Sequence, residues 1–234
     1  MRYALYDMRV TAIVPAAGKG SRIKSSIEKP YIKIKGRPVL AWTLQALSRN
    51  NSIKEIIVAV SRNRMRKARR DVIDKYGIKK VRLVPGGKER KDSVANALKS
   101  VSSGTEYVLI HDGSRPFIDN ALINNSLAAA RKTGAAIVAV PVKPTLKIVG
   151  KDKRIKSTPD RKYFWEAQTP QVFEKGLVEK AYAGMAGKSA TDDSMLVEAM
   201  GIKPVIVMGS YRNIKITTKE DLDIAKMLIK RGAK

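Results

Sequence analysis

The chain has no cysteine and a single histidine, His111, among its 234 residues. Without cysteine there are no disulfides and no thiolate–metal centres, and a reducing cytoplasm is the compartment expected for such a chain. One histidine excludes a multi-histidine metal site and makes a Ser-His-Asp hydrolase a poor fit. Aromatic residues are scarce at 6 % and never interleave with basic ones, so no platform for stacking nucleobases is visible. Long hydrophobic runs are also missing. Nothing is long enough to span a bilayer, and Arg2, Asp7 and Arg9 interrupt any signal-peptide core, so no membrane association is expected.

Acidic residues are the other deficit. Lys and Arg number 47 against 21 Asp and Glu, a net charge of +26. A field of that sign attracts polyanions, whether nucleic acid, anionic membrane or phosphorylated small molecules. The densest basic run, Arg62-Asn63-Arg64-Met65-Arg66-Lys67-Ala68-Arg69-Arg70, reads as the solvated face of a helix that follows a strand. Lysines are spread through every expected helix, so any nucleic-acid binding is expected to be non-specific. A basic nucleic-acid-binding protein is therefore the rival class of function, and it leaves the motifs described next without a purpose.

Apolar residues make up 44 % of the chain, enough for one substantial core, and a single domain over 1–234 is expected. Short continuous apolar runs at 11–15, 55–60, 81–84, 107–111, 135–140 and 205–208 read as buried strands. Helical periods at 39–47, 62–76, 93–101 and 121–133 lie between them, with further helices at 174–185, 192–200 and 219–229. Apolar strands alternating with helices imply an α/β fold, a mostly parallel sheet covered on both faces. The pattern changes after Pro141. Two short polar strands at 145–150 and 154–158, joined by Lys151-Asp152-Lys153, suggest a projecting hairpin whose natural partner is a second subunit.

Ligands of such sheets sit beyond the carboxyl ends of the strands, and three turns there carry chemistry. The first is Pro15-Ala16-Ala17-Gly18-Lys19-Gly20-Ser21-Arg22, with Lys29 beyond it. Small residues leave backbone N–H groups accessible to phosphate oxygens, and Arg22 and Lys29 add positive charge. The turn is not a dinucleotide fingerprint, because Ile23 stands where a third glycine or alanine belongs, nor is it a P-loop. The second turn is Gly86-Gly87-Lys88-Glu89-Arg90-Lys91-Asp92-Ser93, where Asp92 or Ser93 is expected to cap the next helix. The third is His111-Asp112-Gly113-Ser114-Arg115-Pro116. Asp112, at a strand end, is placed for function, whereas Asp192 and Asp193 read as helix-start carboxylates favoured by the dipole. His111 reads as a packed strand-end residue with no proton to transfer.

Together with Gln-Thr-Pro-Gln at 168–171, Thr-Asp-Asp at 191–193 and Asn-Ile-Lys-Ile-Thr at 213–217, these segments resemble the 2-C-methyl-D-erythritol 4-phosphate cytidylyltransferase family over nearly the whole chain after its first nine residues. The resemblance implies a Rossmann-like three-layer nucleotidyltransferase domain with a dimerising β-arm, here at about 142–165. It implies a reaction of CTP with methylerythritol phosphate that releases pyrophosphate, with Mg2+ as cofactor and a homodimer as the working form. By family position Arg22, Lys29, Arg161 and Lys215 are the catalytic cations, Arg161 crossing from the partner subunit. Ala16, Ala17, Gly18, Gly20, Gly87, Ser93, Asp112, Arg115, Thr145 and Thr169 contact substrate, and Asp112 also serves the metal. Taken without the family, Lys215 is a solvent-facing strand lysine and Arg161 ordinary loop charge. Some positions depart from the family pattern: Pro30 follows Lys29 where glutamine is common, Lys88 replaces an acidic or small residue, and Gly113-Ser114 replaces Ala-Ala. A ribitol-5-phosphate cytidylyltransferase, or another sugar-phosphate nucleotidyltransferase, would share the CTP pocket and is the alternative within enzymes.

Overall fold

The computed structural model describes residues 8–18, 29–184 and 190–232. Among them a seven-stranded sheet has the order β11-β7-β10-β6-β1-β4-β5. Its strands are β1 (Val10–Pro15), β4 (Ile53–Val60), β5 (Val81–Pro85), β6 (Tyr107–Ile110), β7 (Ala135–Pro141), β10 (Trp165–Glu174) and β11 (Val205–Met208). The neighbours β5, β4, β1 and β6 pair in parallel, as do β7 and β11. Only β10 runs against the strands on either side of it.

Side-chain alternation along the central strands builds two cores. Val10, Ala12 and Val14 of β1, with Ile56, Val58 and Val60 of β4, enter one cluster. Ile13, Ile57 and Ala59 enter the other. The first is covered by α1 (Val39–Ser48), α2 (Met65–Ala68) and α4 (Asn120–Thr133), through residues such as Leu44, Ala68 and Leu127. The second is covered by α3 (Arg90–Leu98), α5 (Lys175–Ala183) and α6 (Ser194–Glu198), through Val94, Val178 and Val197. The result is three layers, as the alternating apolar runs require. Helix α7 (Lys219–Gly232) closes a smaller cluster, with Ala225 against Ile34 and Ile216. The short hairpin of β2 (Lys33–Ile34) and β3 (Arg37–Pro38) carries Ile34 into that cluster.

The structure departs from the sequence-based expectation in five places, four in the body of the fold and one in the arm. Strand β10 carries no continuous apolar run: its first half is Trp-Glu-Ala-Gln-Thr-Pro, and Pro170 reads as a strand breaker. It pairs nonetheless, with a register shift between Ala167 and Gln171 that absorbs the proline. The helix expected at 62–76 is instead a 3-10 turn (Arg62–Arg64), α2 and a π-turn (Arg69–Asp74), and the widened turn buries the adjacent Val72 and Ile73. Helix α3 starts at Arg90 rather than 93. Glu89 is its N-cap, and Asp92 closes a capping box by accepting the Glu89 N–H at 2.9 Å. The segment 213–217 is not a strand; it is pinned by the Asn213 side chain, which donates to the Thr169 carbonyl at 2.8 Å, and by the Ile216 N–H on the Ser114 carbonyl.

The arm is shorter than expected, β8 (Ile148–Val149) against β9 (Ile155–Ser157). Its apolar side chains face outward: Ile155 is 63 % exposed and Tyr163, further along, 76 %.

Candidate active site

A cleft of about 390 Å3 opens at the carboxyl ends of β1, β5 and β6, lined by Ala16, Ala17, Gly18, Gly87, Ser93, Asp112, Ser114 and Lys215 among others. Strand hydrogen bonds extend into its loops and fix them. The Ala16 N–H donates to the Ala59 carbonyl at 2.8 Å, the Gly86 N–H to the Val60 carbonyl at 2.8 Å, and the Ser61 hydroxyl to the Ala17 carbonyl at 3.2 Å. Two glycines are there for close approach. A Cβ on Gly86 would lie 2.3 Å from the Ala17 Cβ, and one on Gly87 would lie 2.2 Å from the Asp92 Cβ. The Gly86 backbone therefore packs directly on the Ala17 methyl of the first turn, while Gly87 lets the second turn close on its own Asp92. Ser93 Oγ accepts the Gly87 N–H at 3.1 Å and donates to the Glu89 carbonyl, so it shapes the loop from inside.

Asp112 is the electrostatic centre. Its Oδ1 is 2.9 Å from Arg90 Nε, and its Oδ2 is 2.8 Å from Lys215 Nζ and 3.6 Å from Arg115 Nε. Burial opposes ionisation of Asp112, but Arg90, then Lys215 and Arg115, outweigh it and hold the carboxyl well below the usual carboxylate range. Behind it, Thr169 Oγ1 accepts the Asp112 N–H at 3.0 Å and pairs with His111 Nδ1 at 3.0 Å. His111 Nε2 lies 3.0 Å from the Arg115 carbonyl, which can only accept, so Nε2 carries the proton and Nδ1 accepts from Thr169. Burial pushes the His111 pKa down to about 4, and the ring is a neutral strut rather than a base. Arg115 is itself buried and donates to the Asn213 carbonyl at 2.7 Å, which ties the Asp112 turn to the loop that carries Lys215.

Of the residues singled out from the sequence, Ala16, Ala17, Gly18, Gly87, Ser93, Asp112 and Lys215 come together at this cleft. Arg115 and Thr169 stand behind Asp112 and brace it. Thr145 and Arg161 lie exposed on the arm, away from the cleft lining of their own chain, and Arg161 Nη1 donates to the Lys143 carbonyl at 2.6 Å. Gly20 and Arg22 lie outside the described residues. Lys29 opens the 3-10 turn Lys29–Tyr31, whose Pro30 lines the cleft, but its side chain is outside the described part.

Sequence reasoning missed Arg90 and misjudged Asp193. Asp193 precedes α6 as expected, yet it is fully buried and accepts from Arg90 at 3.0 and 2.7 Å and from the Tyr182 hydroxyl at 2.5 Å. Asp192, by contrast, accepts the Met195 N–H at 3.0 Å as a helix-start carboxylate does.

A mostly parallel sheet with a glycine-lined cleft at its strand ends, where Arg90, Arg115 and Lys215 surround one buried carboxylate, is the architecture of an α/β enzyme that binds phosphorylated ligands. The family's own model, that of 2-C-methyl-D-erythritol 4-phosphate cytidylyltransferase (IspD), matches residues 10–231, and the chain belongs to that family. The enzyme of that name from Clostridioides difficile (strain 630) is 43 % identical over 221 residues, 94 % of this chain and 93 % of the relative. Its namesake from Syntrophotalea carbinolica is 46 % identical over 226 residues, 95 % of this chain and 97 % of the relative. The crystal structure of 4-diphosphocytidyl-2C-methyl-D-erythritol synthase from Anaerococcus prevotii superposes with a TM-score of 0.84 at 36 % identity, covering 96 % of this chain and 99 % of that one. The cytidylyltransferase of Thermus thermophilus gives 0.80 at 32 %, covering 95 % and 100 %. The activity is that of a cytidylyltransferase: CMP passes from CTP to 2-C-methyl-D-erythritol 4-phosphate, giving 4-diphosphocytidyl-2-C-methyl-D-erythritol and pyrophosphate in isoprenoid precursor biosynthesis. The matches do not favour the ribitol-phosphate alternative. The family uses CTP and commonly depends on a divalent cation. Among the described residues no helix is long and apolar enough to cross a membrane.

Proposed function

We propose that the cleft between the β1, β5 and β6 turns binds CTP, and that transfer proceeds by in-line attack of the sugar-phosphate oxygen on the α-phosphorus. The observation that carries this reading is the convergence of Ala16–Gly18, Gly87, Ser93, Asp112 and Lys215 on one cleft. No side chain has to become a nucleophile. Catalysis rests on holding two polyanions together and offsetting the charge that builds on the α-phosphate. Ala16, Ala17, Gly18, Gly20, Gly87 and Ser93 hold the nucleotide, largely through backbone groups. Arg22 and Lys29 stabilise the transition state. Lys215, half-exposed over Asp112, orients the phosphate of the acceptor. Arg115 and Thr169 act through Asp112 and the loop they brace.

The divalent cation is proposed to be Mg2+. No cluster of three metal-ligating side chains occurs among the described residues, so an all-protein cage is not on offer. Mg2+ is commonly bound by one or two carboxylates plus substrate phosphates, and Asp112 at the cleft wall fits that donor set. Mg2+ held by Asp112 and the triphosphate would offset phosphate charge.

The working form is proposed to be one nucleotidyltransferase domain, dimerised through the arm at about 142–165 and acting in the cytoplasm. Support comes from the exposed apolar face of the arm, Ile148, Val149, Ile155, Tyr163, Phe164 and Trp165. Docked on a second copy, the arm would carry Thr145 and Arg161 toward the partner's cleft. Non-specific nucleic-acid binding by the basic surface would be incidental.

The test is a pyrophosphate-release assay across nucleotides and sugar phosphates, with and without Mg2+, on wild type and on Arg22→Ala and Lys29→Ala. Turnover confined to CTP with methylerythritol phosphate, and losses of about a hundredfold or more in both variants, are expected. Near-normal rates in both variants would refute the roles of those cations, and turnover only with ribitol 5-phosphate would refute the acceptor.

A further inference from the structure

We infer that Arg90 is a positioning residue of this reaction, one that neutralises Asp112 and Asp193 together and so leaves Lys215 as the spare cation of the site. The inference rests on the cytidylyltransferase reading of the cleft and adds a residue to it.

Arg90 is the first residue of α3, directly after its N-cap. Its guanidinium spans two carboxylates, Nε on Asp112 at 2.9 Å and the terminal nitrogens on Asp193 at 3.0 and 2.7 Å. Only a rigid planar fork can hold both at once; a lysine ammonium is a single point charge on a flexible stem. Asp193 is fully buried, so water gives its charge no help, and Tyr182 Oη donates the remaining hydrogen bond at 2.5 Å. Asp193 follows Thr191 and Asp192, and Thr191 also lines the cleft. Gln171 of β10 grips the same turn, donating to Asp192 at 2.8 Å and accepting the Ser194 N–H at 3.0 Å. Arg90 therefore links the floor of the cleft to the α5–α6 unit.

The charge count gives the link its purpose. Asp112 and Asp193 carry two negative charges, and Arg90 and Arg115, paired with them, carry two positive ones. That quartet is neutral without Lys215. Lys215 can then leave Asp112 for an incoming phosphate, with the proposed cation taking its place there, and abandon no uncompensated buried carboxylate even before the cation arrives. If Arg90 no longer reaches Asp112, Lys215 is conscripted as its counter-ion and the acceptor phosphate loses its ligand.

The test compares Arg90→Lys, Tyr182→Phe, Lys215→Ala and the Arg90→Lys/Lys215→Ala double variant with wild type, measuring KM for each substrate, kcat and melting temperature. Arg90→Lys is expected to raise KM for the sugar phosphate roughly tenfold to a hundredfold, the scale of one charge-assisted hydrogen bond. KM for CTP should rise less than that, because Arg90 lines the cleft but reaches the nucleotide only through Asp112 and the proposed cation. The double variant is expected to be no worse than Lys215→Ala, because both act through one contact. Tyr182→Phe, which removes a single hydroxyl and keeps the fork, should shift the same constant less; it serves if Arg90→Lys fails to fold. Unchanged KM values, equal effects on both substrates, or additive losses in the double variant would overturn the inference. A wild-type protein that turns over no CTP would instead sink the reaction assignment on which it rests.

Discussion

Lys215 Nζ sits 2.8 Å from Asp112 Oδ2, joining two loops that are far apart in the chain. The pairing depends on a scaffold of other contacts: Arg115 on the Asn213 carbonyl, Asn213 on Thr169, and Thr169 on the Asp112 N–H. Lys215 is 39 % exposed, so it retains access to the cleft while its partner is buried. Lys215→Ala should cut kcat/KM for the sugar phosphate by about a hundredfold, because a preorganised charge at the reacting centre is worth roughly 3 kcal/mol. Steady-state kinetics check this, and thermal melting close to wild type shows that the loss is not one of folding.

The contact between the first two turns makes a separate prediction. A Cβ at Gly86 would stand 2.3 Å from Ala17 Cβ and 3.1 Å from Ser93 Oγ, so Gly86→Ala must push the nucleotide turn away from the second loop. The overpacking should cost roughly 1–3 kcal/mol of stability. KM for CTP should rise about tenfold or more, and KM for the sugar phosphate should change little. Urea unfolding and initial-rate kinetics measure the two effects.

His111 gives the protein a pH-dependent stability. Its folded pKa of about 4 lies below the ordinary 6.5, so the unfolded chain takes up a proton there before the native one does. The stability tied to the neutral ring is fully present above about pH 6.5 and is lost as pH falls toward 4, roughly 3 kcal/mol in all. Chemical denaturation from pH 7 down to 4 should show a steeper loss for wild type than for His111→Gln. Identical slopes would remove His111 from the account.

The arm makes a prediction about assembly. Ile155→Glu places a charge on its most exposed aliphatic position and should shift the sedimentation coefficient from dimer to monomer. Activity should fall with it, since Arg161 of the partner subunit would be withdrawn. A monomeric variant with full turnover would contradict the proposed crossing of Arg161.

Much of this architecture was legible in the sequence, and the reason is burial. Strands β1, β4 and β6 hold apolar runs, and expected and observed bounds differ by two residues at most because both sides of each face a core. The three turns beyond β1, β5 and β6 could be read as a site because topology alone places strand ends together. What was illegible depends on distant partners. Strand β10 hides because Gln168, Thr169 and Gln171 are polar yet buried, each satisfied by a group elsewhere: the Ser210 carbonyl, the Asp112 N–H and Asp192. Asp193 looked like a helix-start carboxylate because its position is that of one, and nothing local announces Arg90 as its counter-ion. The one available signal was an arginine opening a helix in the Gly-Gly-Lys-Glu-Arg turn. Lys215 looked like a strand lysine because its neighbours alternate, although the backbone N–H groups of Asn213, Ile216 and Thr217 donate to the Ser210 and Ser114 carbonyls and the Asp221 carboxylate rather than to a strand ladder.

The most direct measurement is a crystal structure with CTP and Mg2+ bound. The account predicts the triphosphate along the Ala16–Gly18 backbone with Arg22 and Lys29 at its phosphates, the base beside Gly87 and Ser93, and the cation between Asp112 and the phosphate oxygens. Nucleotide bound elsewhere, with this cleft vacant, would contradict it.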